Sequence, residues 1–282
     1  LVIRQVYPRL GIVPGLILAP GWSQIPEVGL ALAAKAAKIN GVYSAMALLD
    51  LDTAKAKKYT DTKSVKEESG YTSPFCYPLW PCDRVGEYIL AKSAVAGAMI
   101  QYMASDNEDV PNQSPSNHLL GVGGQCLEDG TEVYLDQDQA NTVNGYGVTT
   151  AINQNGYRLW GNYTGAYPAS SDAKDIWFAV RRMFSWQGNN FIQTYFDEVD
   201  DPMNNVLVQS VVDSENIRCS AYAPKYWAGA SIEYKSDDNP KTAILAGTMK
   251  FRQHIAPYTP AQEIVDIIDY DTDTLAAAVG GN

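Results

Sequence analysis

Histidine is nearly missing from this 282-residue chain, which has only His118 and His254. That scarcity removes the commonest metal ligand and general base. No HExxH, paired CxxC, P-loop or GxGxxG string stands in for it. A GxSxG elbow is also missing, since Gly21-Trp22-Ser23-Gln24-Ile25 fails at its last position. Ser171-Asp172-Ala173-Lys174 fits SxxK by letters, but Ser and Asp beside a loop read better as backbone-bonding turn residues. Cysteine is scarce: Cys76, Cys82, Cys126 and Cys219 are too few for a disulfide scaffold in a chain of this size. Cys76 and Cys82 flank YPLWP closely enough to bridge, yet reduced thiols are the simpler expectation. No apolar run approaches the roughly 18 residues of a membrane helix, so no membrane insertion is expected. Basic residues are outnumbered 21 to 32 by acidic ones, for a net charge of −11. Phosphate binding relies on clustered Lys and Arg, so nucleic acid is not an expected partner. The first residue is Leu1, with no basic or signal-type segment behind it, and the sequence is expected to be a fragment or a trimmed chain.

What is present is a globular composition, 46% hydrophobic and rich in tyrosine (18) and tryptophan (6). A chain of this length can bury a large core. Leu16 to Leu18 reads as a short strand. Pro26-Glu27 opens a helix with proline at its first position and an acid in its first turn. Asn40-Gly41 stops it, and the apolar run Tyr43 to Leu49 reads as a strand covered on both faces. Residues 16 to 50 are therefore a β-α-β unit. The lysines at 55, 57, 58, 63 and 66 read as a solvated face, and Phe75 to Trp80 as a proline-bearing edge strand. Lys92 to Ala104 is a strong helix with Val95, Met99, Tyr102 and Met103 on its inner face. Thr131 to Ala140 suggests a short helix; Ala228 to Lys235 and Gly247 to Ile255 suggest strands.

The densest stretch is Gly156 to Pro202. Asn155-Gly156 is a turn, and Tyr157 to Thr164 has the aromatic content of a strand. Alternation from Ile176 to Val180 predicts a short buried strand, and the three- and four-residue spacing from Arg181 predicts a helix. Asp201-Pro202 predicts the next helix start. Trp160, Trp177 and Phe178 are expected in the core.

Asp50-Leu51-Asp52 is the best chemical candidate. It lies just past the end of a buried strand, where carboxylates at i and i+2 can grip a divalent ion. A metal-dependent enzyme using Asp50 and Asp52 is thus one alternative function, although Asp in this position also caps turns and helices. A tyrosine-rich module binding sugars or a cell surface is another. Asp136-Gln137-Asp138 and Asp271-Thr272-Asp273 are polar-surface pairs of less interest. Arg181 and Arg182 adjoin an apolar strand. Either one pairs a local acid such as Asp172 or Asp175, or the pair reaches another subunit. Ile264 to Tyr270 is β-branched and beside a small-residue tail that cannot form a core, so it suits pairing with a neighbour's sheet edge.

An ordered set of these stretches resembles the contractile phage tail sheath proteins. The residues are LILAPGWSQIPEV, LLDLD, the helix-to-loop run AKSAVAGAMIQYMASDNEDVPNQSPSNHLLGV, then GYRLWGNYT, DIWFAVRRMF, GTMKF and YTPAQEI. The resemblance implies an α/β to α+β fold, a mixed β-sheet flanked by helices, with residues 1–125 as an N-terminal α/β subdomain and 126–282 as a C-terminal sheath-type subdomain. It implies a structural, non-enzymatic subunit without catalytic residues, cofactor or metal. Such subunits form stacked hexameric rings around an inner tube and shorten when triggered. The partners implied are the chain itself, the inner tail tube protein, and baseplate and tail terminator proteins. The location implied is the tail sheath of a virion, tailocin or prophage-encoded injection system, assembled in the bacterial host cytoplasm. Ile264, Val265, Ile267, Ile268, Tyr270, Arg181 and Arg182 are the interface candidates. Sheath proteins carry a further N-terminal region with a subunit-linking arm, which does not match any part of this sequence.

Overall fold

A computed structural model describes residues 2–280. A short helix α1 (Val6–Leu10) precedes the strand β1 (Leu16–Leu18), the helix α2 (Pro26–Ala37) and the strand β2 (Met46–Asp50). Proline stands at the first position of α2, where its missing N–H costs nothing. β1 and β2 are parallel, as the β-α-β reading requires, with Leu16 opposite Met46. After α3 (Thr62–Ser69), β3 (Cys76–Leu79) joins the other side of β2, also parallel. The sheet order is β1-β2-β3, so β3 is an edge, though Leu79 bridges onward to Thr149.

Every residue of β2 is buried because both faces of the sheet are covered. Ala47 and Leu49 face a core with Ala33 and Ala36 of α2, Tyr71 and Trp80. Met46 and Leu48 face the opposite core, with Ala96, Met99 and Ile100 from a later helix and with Phe178. Strand periodicity puts alternate residues on opposite faces, and the two clusters follow it. α2 approaches Tyr71 so closely that a Cβ on Gly29 would lie 2.1 Å from the tyrosine hydroxyl oxygen, so only glycine fits there.

β4 (Cys82–Val85) and β5 (Tyr88–Leu90) form a hairpin, α4 (Lys92–Ser105) follows, and β6 (Gly124–Cys126) returns to β4. The expected division at 125/126 falls inside β6, whose Cys126 pairs with Cys82. Leu127 and Val133 lie in the same core as Ile17 and Ala47, so packing runs across that point. All four cysteines are free. α4 is rotated from its expected face: Ala96, Gly97, Met99 and Ile100 are buried while Tyr102 is 70% exposed. The cause is polar, because Lys92 and Ser93 at its first turn are held inside by Asp83 and Asp50.

α5 (Gln137–Gly145) begins with a capping box on Asp136 and Gln139, then β7 (Thr150–Asn153) and β8 (Tyr157–Trp160) form an antiparallel hairpin turning at Asn155-Gly156. The strand expected at 176–180 is helical instead. α6 (Ala173–Ile176) is capped by Asp172, and α7 (Phe178–Thr194) starts immediately after Trp177. Only Trp177 is extended, in an isolated bridge to Tyr163, and Phe178 donates its N–H to the Asn162 carbonyl at 2.8 Å.

α8 (Asn205–Ala221) is capped by Asn204, which accepts the Leu207 N–H at 2.9 Å, so its start is three residues past Pro202. It continues through Asn216, whose amide bonds the backbone of Ile232 in both directions, at 3.0 and 3.1 Å. β9 (Trp227–Glu233), α9 (Lys241–Leu245) and β10 (Arg252–Pro257) follow, with β9 and β10 antiparallel. A third core of Val110, Met183, Cys219, Tyr226 and Trp227 joins this hairpin to α7 and α8. Residues 258–271 carry no regular structure, and α10 (Thr272–Ala278) closes the described chain.

The lysine-rich stretch splits. Lys55, Lys57, Lys58 and Lys63 are exposed, but Lys66 is buried and donates from Nζ to the carbonyls of Tyr146 (2.9 Å) and Tyr167 (2.5 Å). Burial lowers its pKa from 10.5 to about 8. Between those values the folded chain holds fewer protons than the unfolded one, so this residue's contribution to stability rises with pH there. Lys66→Met leaves two buried carbonyls without a donor and is expected to cost about 1–3 kcal/mol. Denaturation of both proteins below pH 8 and near pH 10 should show the gap to the parent widening. A gap independent of pH would mean that the folded amine keeps its proton throughout.

Candidate subunit-interface surfaces

The carboxylates that suggested a metal site serve another purpose. Asp50 accepts the Ser93 N–H at 2.8 Å, the Ser93 hydroxyl at 2.5 Å and the Ser23 hydroxyl at 2.9 Å. Burial pushes its pKa up while those three donors push it down. Its oxygens thus fix α4 and the loop before α2 to the end of β2. Asp52 lies outside this arrangement and accepts the Ala54 N–H at 2.9 Å. Among the described residues no group of three or more His, Cys, Asp or Glu is placed to hold a metal ion.

The aromatics divide as well. Phe178 is fully buried and stacks on Tyr77 at 4.1 Å. Trp160 is half-buried, with its indole N–H on Asn141 at 2.8 Å, so it is not the core residue expected. Trp177 is half-buried and stacked on Tyr163 at 4.9 Å. Trp22 is the exposed tryptophan among the described residues. Tyr88, Tyr102 and Tyr134 are also exposed.

The structure separates the two arginines. Arg181 pairs with Asp175 at 3.1 Å and lies 4.6 Å over the Phe75 ring, which is the local pairing foreseen as one alternative. Arg182 points to the other side of α7. It is half-buried, 5.5 Å over the Phe178 ring, and has neither a carboxylate within 4.0 Å nor a hydrogen-bond partner among the described residues. Desolvation lowers its pKa to about 10. Guanidinium groups in such settings are normally paired, so Arg182 stands out.

The C-terminal half ends in a surface left open. β9 and β10 form a two-stranded sheet, and among the described residues neither outer edge carries a third strand. A polar network stiffens its inner side. Buried Glu215 of α8 accepts from Gln187 of α7 at 2.6 Å, from Arg218 at 2.6 Å and from Gln253 of β10 at 3.3 Å. Beyond it, Ile264, Val265, Ile267, Ile268 and Tyr270 are between 70% and 89% exposed and lie outside every strand. Five large apolar side chains within seven residues, all in solvent, are unusual for a self-contained surface. The sequence pattern suits a strand here, whereas residues 264–270 lie outside every strand of the described chain. It gave no means of separating Arg182 from Arg181, because that depends on which way each residue of α7 faces.

The comparisons agree with this architecture. The chain is 27% identical over 197 residues to the major tail sheath protein of Serratia phage KSP20, covering 67% of this chain and 48% of that protein. It is 24% identical over 273 residues to the tail sheath protein of Escherichia phage P2, covering 93% of this chain and 63% of that protein. In fold it resembles the sheath of an extracellular contractile injection system in its contracted state, with a TM-score of 0.76 at 17% identity, over 96% of this chain and 74% of that one. No family model matches. The chain thus spans less than two thirds of either curated relative. The chain is therefore similar in sequence to phage tail sheath proteins along most of its length and similar in fold to the sheath of a contractile injection system.

Proposed function

We propose that the chain is a structural subunit of a contractile tail sheath, joined to its neighbours through Ile264 to Tyr270. The observation that carries this reading is the exposed aliphatic segment following an open two-stranded sheet. An extended segment of this kind gains main-chain hydrogen bonds when it pairs with a sheet edge, and alternate side chains fix its register. The five or six bonds available are worth roughly 0.5–1.5 kcal/mol each, less the cost of ordering, so each link is weak. Many such links acting together hold a tube while each can flex as the bodies turn. Subunits so joined stack as hexameric rings around an inner tube, and contraction is a rigid-body repacking of those rings that drives the tube forward. The partners are copies of the chain, the inner tube protein, and baseplate and terminator proteins. The place of action is the tail of a virion or related injection particle assembled in the bacterial host. The relatives' names and the contracted-state neighbour support this.

The test is electron microscopy of the full-length protein beside a form ending at Pro260. The parent should give tubes or ring stacks, and the shortened form only bodies or short oligomers. Tubes from the shortened form would remove Ile264 to Tyr270 from the joint.

A further inference from the structure

A cleft of about 620 Å³ runs along α7 between the two halves of the chain. Leu16, Leu18, Met46 and Trp186 make its apolar wall, and Arg182 and Ser185 lie on its floor. Ser185 is 7% exposed and its hydroxyl has no hydrogen-bond partner. Arg182 has no carboxylate within reach, as described above. The cleft's other charged group is Asp109, which is exposed and forms no ion pair with it. Two unmet polar groups beside apolar surface call for a ligand that brings both a carboxylate and a hydrophobic side chain.

The chain itself carries such an element. Immediately after α7, the loop Phe196–Asp201 reads FDEVDD. Asp197, Asp200 and Asp201 are exposed, as are Phe196 and Val199. We propose that the cleft receives this loop from a second copy of the chain, with Arg182 as the carboxylate anchor and Phe196 or Val199 against the apolar wall. Anchor and loop sit toward opposite ends of one helix, so no copy satisfies its own cleft. Contacts of this head-to-tail kind are heterologous and propagate into rings or helices, unlike a two-fold patch that stops at a dimer. The proposal rests on the sheath reading only in requiring that copies of the chain associate.

Sedimentation velocity over a range of concentrations tests it. Arg182→Glu should weaken self-association by about tenfold or more. Asp197→Lys with Asp201→Lys should do the same without lowering the melting temperature, because both side chains are exposed. Asp200, at φ 73°, is left unchanged to preserve the turn. Combining all three substitutions should restore association, since a reversed loop then meets a reversed anchor. The series is repeated in the form ending at Pro260, which keeps all three cores but lacks the tail joint. Association that ignores these substitutions, a combined variant that is not restored, or a parent that does not associate would each overturn the proposal. Tubes that still form in full-length protein carrying Arg182→Glu would remove this contact and leave the sheath reading standing.

Discussion

Asp83→Asn should unfold the chain more readily than almost any other single change, at a cost of about 3–5 kcal/mol. The side chains of Asp83 and Lys92 are both 0% exposed and form an ion pair. Lys92 is the first residue of α4, where the helix presents its positive end, so a cation there is disfavoured unless an anion faces it. Removing the carboxylate's charge leaves an ammonium stranded in the interior. The pair is not for that reason a strong source of stability, because desolvation of both groups offsets much of their attraction. Asp83→Leu combined with Lys92→Met should therefore sit far closer to the parent than the single change does. Urea denaturation of the parent, the single and the double variant measures the difference. A single variant within about 1 kcal/mol of the parent would show that water reaches the pair.

Trp227→Ala should cost a similar amount, about 3–5 kcal/mol, but in a different place. Trp227 is fully buried at the centre of the third core, edge-on to Trp186 at 6.1 Å and Tyr222 at 5.8 Å. Its indole N–H donates to the Cys219 carbonyl at 3.0 Å. The other large side chains of that core lie against it, so no neighbour can fill the space left. Hydrogen exchange should rise first in β9, β10 and α8, while β2 and α2 keep their protection because they belong to another cluster. Uniform loss of protection would mean that the three cores unfold as one. Trp227→Phe, which keeps most of the apolar bulk and loses the hydrogen bond, should cost nearer 1 kcal/mol.

Local signals in the sequence were read correctly where the deciding residues are neighbours. Pro26, the apolar run into β2, and Asn155-Gly156 act within a few positions, and the elements they mark are there. At 176–180 a short apolar run suits a strand or a buried helix equally; Ile176 ends the helix capped by Asp172, and Phe178 to Val180 open α7 with no side-chain cap, so no local signal separates the two. Burial of polar groups was illegible. Lys66 is held by carbonyls 80 and 101 positions away, and Asp50 by hydroxyls 27 and 43 positions away. Nothing in the local pattern announces such partners. The candidate surface has the same limit: whether Arg182 has a partner depends on how α7 faces its neighbours, which the sequence does not encode locally.

α7 begins under Tyr77 in the α/β part and carries Met183 into the third core. Further along, Asn189 grips the backbone of Ser44 at two points, donating to its carbonyl at 2.7 Å and accepting its N–H at 2.9 Å. The helix is thus a strut fastened at both ends, with one fastening next to the central strand of the sheet. A pull applied at the β9–β10 hairpin passes through the Glu215 network into α7 and then into β2, along bonded and packed atoms the whole way. Compliance is left to residues 258–271, which carry no regular structure. Under load the body should therefore transmit force as a stiff block, and the tail should take up the strain.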